Sequence, residues 1–240
     1  MAFPSTFPDK NGHLATNPNF SQTRMTGTAT LEFLGQTLHL HPLKALFWEE
    51  ARTLMIADLH AGKTSHFRKH GIPVPVAAAD AGTDRLISVL LDFRPERVLF
   101  LGDLFHSTYN REWITLAELI LQFREVTFEL IPGNHDILDL GIYADAGLKI
   151  LPESVAEGPW WITHHPVNDP PSGLYNLAGH IHPGVRLSGA GKQTLRLPCF
   201  YFGQKQGILP AFGTFTGTAQ IPVKKGDRIY VIAADQVIKV

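Results

Sequence analysis

The chain has 240 residues, of which 44% are hydrophobic, with a formal net charge of −1 and a single cysteine, Cys199. That content suffices for a full core in one domain, and the balanced charge excludes a global basic field, so any nucleic-acid binding must rest on a local patch. The lone cysteine excludes an internal disulfide and fits a reducing, cytoplasmic compartment, and no apolar run approaches the roughly 18 residues of a membrane-spanning helix.

Residues 1–25 are rich in Pro, Asn, Ser and Thr and lack an apolar stretch, which predicts a flexible extension and not a secretory signal. Residues 26–240 read as one domain, without repeats, low-complexity tracts or linkers. Short strands are predicted at 28–34 and 36–40, joined at Gly35, and at 45–48, followed by a buried strand at 53–57. Residues 76–93 place Leu86, Val89, Leu90 and Phe93 at helical spacing and stop at Pro95. A strand at 98–101 leads to an amphipathic helix at 111–124 with Trp113, Leu116, Ala117, Ile120 and Leu121 on one side. An apolar run at 126–131 closes a β-α-β-α-β succession, the pattern of a right-handed, largely parallel arrangement. Beyond Leu148 helical signals fade and short strands punctuated by Gly and Pro take over, which predicts a second sheet packed on the first with helices outside.

Polar residues collect where these strands end. The run 126–131 breaks at Pro132-Gly133 and releases Asn134, His135 and Asp136. The strand at 53–57 ends in Asp58-Leu59-His60, that at 98–101 in Gly102-Asp103, one at 160–163 in His164-His165, and one at 175–178 in Gly179-His180-Ile181-His182. Open α/β sheets bind their ligands at the carboxyl ends of strands. Each fragment alone has a structural reading: residues two apart share a face of any extended segment, Gly-Asp is a common turn, and a His pair serves a core or an interface. Together they supply carboxylate, imidazole and amide donors, a mixture that suits Mn²⁺, Fe or Zn²⁺ better than Mg²⁺.

The ordered set D-x-H, G-D, G-N-H-D, H, G-H-x-H resembles the calcineurin-like metallophosphoesterases over about residues 53–215. The resemblance implies a four-layer α/β/β/α fold, two packed mixed β-sheets flanked by α-helices. It also implies two divalent metal ions, with Mn²⁺ the first choice and Fe or Zn²⁺ behind it. Asp58, His60 and His182 would hold one ion, Asn134, His164 and His180 the other, and Asp103 would bridge both. Whether His164 or its neighbour His165 is the ligand stays open. His135 would be the catalytic histidine outside the coordination sphere, oriented by Asp136 through a ring N–H to carboxylate hydrogen bond. The implied reaction is phosphodiester hydrolysis, by attack of a hydroxide shared between the ions in line with the leaving oxygen. A positioned acid at that oxygen contributes typically about 10²–10⁴-fold.

Two more stretches bear on substrate. Lys63, Arg68 and Lys69 follow the first motif in a loop with no acidic residue between Ala61 and Ala79. Either this loop is simply solvated or it is a phosphate-contacting rim, with Arg68 able to grip a phosphate bidentately. His106, three residues past Asp103, meets the substrate or hydrogen-bonds behind a ligand. With residues 67–75 and 102–107, the segment Leu209-Pro-Ala-Phe-Gly-Thr-Phe-Thr-Gly217 resembles one branch in particular, the bacterial ligase-associated metallophosphoesterases. These are regarded as DNA-repair nucleases or phosphodiesterases, encoded beside an ATP-dependent DNA ligase, a DNA helicase and an exonuclease-like protein. Thr218 departs from the branch, which tends to carry a second glycine there. The implied substrate is DNA, single-stranded or damaged. The alternative is the same chemistry on a small phosphate ester, a cyclic nucleotide or a nucleotide-linked lipid precursor. A non-catalytic scaffold is disfavoured because every ligand type is present.

Overall fold

Seven strands lie in sequence order across the first sheet: β1 (Ala29–Phe33), β2 (Gln36–Leu40), β3 (Leu46–Trp48), β4 (Thr53–Ile56), β5 (Arg97–Leu101), β6 (Thr127–Ile131) and β7 (Leu148–Ile150). The structure, a computed structural model, describes residues 26–62, 77–188, 194–214 and 216–240. The expected extension over 1–25 and the basic loop with Lys63, Arg68 and Lys69 lie outside the described residues. β1 to β4 meander antiparallel, whereas β4 to β7 run parallel. The change follows from the connections. Leu34 and Gly35 both have positive φ, 53° and 72°, as a two-residue primed hairpin turn requires. Parallel neighbours instead need crossovers, here α1 (Ala77–Phe93) and α2 (Arg111–Gln122), with the short α3 (Leu140–Asp145) before β7.

Local chemistry sets the helix ends. The side chain of Asn110 accepts from the N–H groups of Glu112 and Trp113 at 2.8 and 3.2 Å and so caps α2. Arg94 leaves α1 at φ 47° with its N–H on Leu90 O, and Pro95 cannot continue the helix.

The second sheet comprises β8 (Ser154–Glu157), β9 (Trp160–Thr163), β10 (Tyr175–Ala178), β11 (Pro183–Ser188), β12 (Thr194–Phe202), β13 (Gln206–Ile208), β14 (Ala219–Gln220), β15 (Arg228–Ala233) and β16 (Gln236–Lys239). Its order is β14-β11-β12-β13-β10-β9-β8, with β15 on β12 and β16 on β15. β9, β10 and β13 run parallel at its centre. Met55, Leu99, Leu101 and Ile131 from the first sheet meet Trp160, Ile162, Leu177 and Phe200 from the second in one buried layer. Each such fully buried side chain contributes about 1.5–3 kcal/mol. Arg97 on β5 ties the sheets together by donating to Glu129 on β6 at 2.6 Å and to Glu157 on β8 at 2.8 and 2.6 Å.

Helices α1 to α3 all pack on the outer face of the first sheet, where Leu86, Val89, Trp113, Leu116, Ile120 and Tyr143 cover Leu54, Ile56, Phe100 and Phe128. Two packed mixed sheets with helices outside are therefore present, as expected, and the helices of the described residues lie on the first sheet. The outer face of the second sheet closes instead around Val185, Cys199, Tyr201, Ile221, Ile229 and Val231. No helix of the described residues is long and apolar enough to cross a membrane.

Candidate metal centre

The carboxyl ends of β4, β5, β6, β9 and β10 meet at one edge of the sandwich. Beyond the strands, the loops of β4 and β5 keep pairing: the N–H groups of Asp58, His60 and Ala61 donate to the carbonyls of Gly102, Asp103 and Leu104 at 3.2, 2.8 and 3.0 Å. His164 Nδ1 lies 2.8 Å from Leu101 O, which brings the end of β9 onto the end of β5. Asp58 Oδ2 accepts from the His180 N–H at 2.8 Å, which adds β10.

Five of the converging residues have left-handed backbones: Asp58 (φ 54°), His60 (49°), Asp103 (52°), His180 (66°) and His182 (53°). Such conformations cost of order 1–3 kcal/mol each in a non-glycine residue and persist only where the surroundings enforce them. They turn the chain sharply at each strand end, so that consecutive loops present their side chains inward. Gly133 is required by closeness, since a Cβ there would be driven into the Asp103 carboxylate and the Asp103 backbone nitrogen.

Asp103 stands at the middle. Its Oδ2 is 3.7 Å from His60 Nε2, and its Oδ1 is 3.5 Å from His164 Nε2 while accepting the His135 N–H at 2.9 Å. On one side, Asp58, His60 and His182 bring ligand atoms within 4.8 Å of one another. On the other, His164 Nε2 lies 3.1 Å from Asn134 Oδ1 and 3.2 Å from His180 Nδ1. A neutral His164 whose Nδ1–H donates to Leu101 O turns the Nε2 lone pair toward an amide oxygen and a carboxylate. Acceptor faces acceptor there, an arrangement that a cation resolves. Asp58 is fully buried, and its Oδ1 takes no hydrogen bond. A buried carboxylate oxygen without a donor is costly unless it coordinates a cation. The donor set therefore fits divalent metal.

Of the two adjacent histidines, His164 is buried with its ring fixed, while His165 is exposed, its ring 4.1 Å from that of His180. The geometry favours His164 over His165 at the centre of the cluster. His165 still forms a group with His164 and His180 whose ligand atoms lie within 4.8 Å. Burial, and then the neighbouring imidazoles, lower the pKa of His180 and of His165 below the ordinary value, which keeps the rings neutral.

Asp136, expected to orient the His135 ring, joins two loops: its Oδ1 accepts the Phe105 N–H at 3.0 Å and its Oδ2 the Gly133 N–H at 2.8 Å. Burial raises its pKa, against the pull of those two amides. The His135 ring stacks on His106, centroids 3.8 Å apart and planes 17° apart. His106 Nδ1 is also 3.3 Å from His60 Nδ1, so His106 stands behind His60. Lys63 and Arg68 lie outside the described residues.

Sequence reasoning missed Asn176. Buried in β10, its amide donates to Trp161 O and Thr163 Oγ1 at 2.7 and 2.9 Å and accepts the Val167 N–H at 2.9 Å, fixing the turn that carries His164. The available signal was an amide inside the apolar strand Tyr175-Asn176-Leu177-Ala178.

Residues 51–206 match the calcineurin-like phosphoesterase family. The chain belongs to that family. A calcineurin-like phosphoesterase with this set of His and Asp groups is a metal-dependent phosphoester hydrolase. The crystal structure of Pseudomonas putida nuclease MPE is similar, with a TM-score of 0.73 and 28% identity, covering 89% of this chain and 100% of that one. A conserved uncharacterized protein of Streptococcus pneumoniae, a predicted phosphoesterase, matches at 12% identity over 78% of this chain and 95% of that one, with a TM-score of 0.31, too low to carry weight. No curated protein matches the phosphoesterase sequence.

Proposed function

We propose that the chain is a dinuclear-metal phosphodiesterase acting on DNA. In this reading Asp58, His60 and His182 hold one divalent ion, Asn134, His164 and His180 hold the other, and Asp103 serves both. The observation that carries it is the position of Asp103, one carboxylate oxygen toward His60 and the other toward His164. Bound ions would supply a Lewis acid for the phosphoryl oxygens and a water of lowered pKa. Mn²⁺ suits the mixed nitrogen and oxygen donors best, with Fe or Zn²⁺ next.

The side chains then have distinct tasks. Asp103 is held by the His135 N–H, so its carboxylate stays aimed between the two ligand groups. His164 keeps its ring plane through Leu101 O. His135, clamped against His106, gives a proton to the leaving oxygen of the phosphodiester. Asp136 fixes the loop that presents His135 and takes no proton itself.

DNA as substrate is supported by the likeness to a nuclease along that protein's whole length and by the branch motifs, which also imply association with an ATP-dependent DNA ligase, a helicase and an exonuclease-like protein. A reducing, cytoplasmic setting fits Cys199, whose thiol burial pushes up to about 12 and so makes unreactive. Lys63 and Arg68 are assigned to backbone phosphates flanking the scissile one.

The deciding experiment measures metal per chain and hydrolysis of single-stranded DNA, bis-p-nitrophenyl phosphate and p-nitrophenyl phosphate with Mn²⁺. Two ions per chain, with activity on DNA and on the diester but little on the monoester, is the expected result. Active protein with less than one ion per chain would overturn the dinuclear reading, and a wild type inert toward DNA would overturn the substrate. Neutralising Arg68 and Lys69 should flatten the salt dependence of KM on single-stranded DNA, by about 0.7 in log–log slope for each phosphate no longer neutralised.

A further inference from the structure

A pair of cations that the metal centre does not use stands beside it. Lys44 precedes β3, whose Leu46 is paired with Met55 of β4. Because β3 and β4 are antiparallel, the start of β3 lies level with the end of β4, where Asp58 begins the metal cluster. Arg85 reaches the same turn from α1. Its Nη2 donates to Leu43 O at 2.7 Å, and its guanidinium lies 4.7 Å over the Phe212 ring. The Phe212 N–H donates in turn to Ala57 O at 2.9 Å, one residue before Asp58.

Both cations are half-buried, and no carboxylate answers them. Burial, and then Arg85, lower the pKa of Lys44, and burial lowers that of Arg85, with no acidic group opposing either shift. Asp92, an acid beside this turn, faces His41 Nε2 at 3.4 Å, while His41 Nδ1 accepts the Leu43 N–H at 3.1 Å. The stretch from Ala61 to Ala79, which leads into α1, has no acidic residue to offer. The Nε of Arg85 is buried without a hydrogen bond. Lys44 holds φ 70°, a strained backbone that persists only where the surroundings enforce it. Two like charges kept together and partly out of water are costly, and an anion placed between them offsets that cost.

We propose that Lys44 and Arg85 form a binding site for a phosphoryl group, beside the metal centre and separate from it. The two side chains are complementary in phosphate recognition: a planar guanidinium offers directed donors, and a compact ammonium adds charge. The guanidinium is already held by Leu43 and Phe212, so little ordering remains to oppose binding. A phosphoryl group has two sources here, free phosphate and a second phosphate on the substrate.

Isothermal titration of the Mn²⁺-loaded protein with inorganic phosphate, at constant ionic strength, tests the site. Lys44→Met is expected to bind one phosphate per chain fewer than wild type, and Lys44→Arg to bind as many. Without added phosphate, the rate on bis-p-nitrophenyl phosphate should be the same in all three. Equal phosphate stoichiometry in wild type and Lys44→Met would overturn the site. Inhibition of that hydrolysis by thymidine 5′-monophosphate and by thymidine 3′,5′-bisphosphate separates the sources. A substrate phosphate predicts an inhibition constant about 10-fold lower for the bisphosphate in wild type, with the difference lost in Lys44→Met. Equal inhibition by the two nucleotides, with the extra phosphate still bound by wild type, assigns the site to free phosphate. The substrate arm rests on the phosphodiesterase reading above. A wild type that leaves bis-p-nitrophenyl phosphate intact would overturn that reading, while the titration still decides the site.

Discussion

The imidazole of His135 lies flat on that of His106, 3.8 Å away, while the His135 backbone N–H holds the carboxylate of Asp103. One residue therefore serves the centre twice, through a backbone group that any side chain would keep and a ring that only histidine supplies. The two functions separate by mutation. Removing the ring leaves the Asp103 hydrogen bond in place, so metal binding and proton donation become independent observables.

His135→Ala is accordingly expected to keep its metal and lose proton donation. The rate on DNA should fall by about 100-fold or more, with metal per chain unchanged by elemental analysis. On bis-p-nitrophenyl phosphate, whose leaving group departs without a proton, the loss should be far smaller. Equal losses on both substrates would assign His135 a different role.

Much of this edge was legible in the sequence because a parallel sheet translates order along the chain into position in space. An apolar run that stops at Asp58, Asp103 or Asn134 must stop at the carboxyl end of its strand, and parallel neighbours share that end. The left-handed backbones of Asp58, His60, Asp103, His180 and His182 left no such trace, because nothing in a single sequence marks a non-glycine residue forced to positive φ. The role of Asp136 was hidden for a related reason. Its neighbour His135 is adjacent in sequence, but its partners Phe105 and Gly133 are set by how two loops dock. The short α3 was missed because its six residues give too few turns for a periodic signal. The pairing of β12 with β11 along its first half and with β15 along its second left no trace either, because strand partners so far apart in the chain are set by tertiary packing.

Gly133→Ala should empty the centre. The added methyl meets Asp103 Oδ1 and the Asp103 backbone nitrogen, neither of which moves as a flexible side chain would. Overpacking of this kind costs about 1–3 kcal/mol, and here it displaces the shared carboxylate. Metal content below one ion per chain and a fall of at least about 100-fold in diester hydrolysis are expected, with a cooperative thermal transition retained. A variant with both ions and wild-type rate would show that Asp103 tolerates displacement.

Chelation should destabilise the fold, because Asp58 and Asp103 are both buried and Asp58 Oδ1 has no donor. Metal at about 100 times its dissociation constant adds about 2.7 kcal/mol, which for a chain of this size shifts Tm by roughly 5–10 °C. Asp58→Asn should reduce that shift while leaving the metal-free Tm unchanged or higher, since it removes a buried charge. Calorimetry with and without a chelator decides it: an identical Tm in both states would mean that the centre is held by protein contacts alone.

Lys44 lies in the turn between β2 and β3, where its N–H donates to His41 O at 2.8 Å and its backbone sits at φ 70°. Burial, and then the nearby Arg85 guanidinium, lower its pKa from 10.5 to about 8. Arg85 is itself fixed, donating to Leu43 O at 2.7 Å and lying 4.7 Å over the Phe212 ring, so it cannot withdraw from the pair. Between pH 8 and 10.5 the unfolded chain holds a proton on Lys44 that the folded chain has released, so the folded state gains stability as pH rises through that window. Below pH 8 the ammonium is charged in both states, and its burial is a constant penalty of about 1–3 kcal/mol once partial solvent contact is allowed for. Lys44→Met keeps the aliphatic stem and the same backbone strain while removing the charge. It should raise Tm at pH 7 by roughly 3–8 °C and remove the Lys44 contribution to the rise in stability between pH 8 and 10.5. Thermal melts of wild type and variant across about pH 6–10 make the comparison, and parallel curves would show that the Lys44 ammonium reaches solvent and carries no penalty.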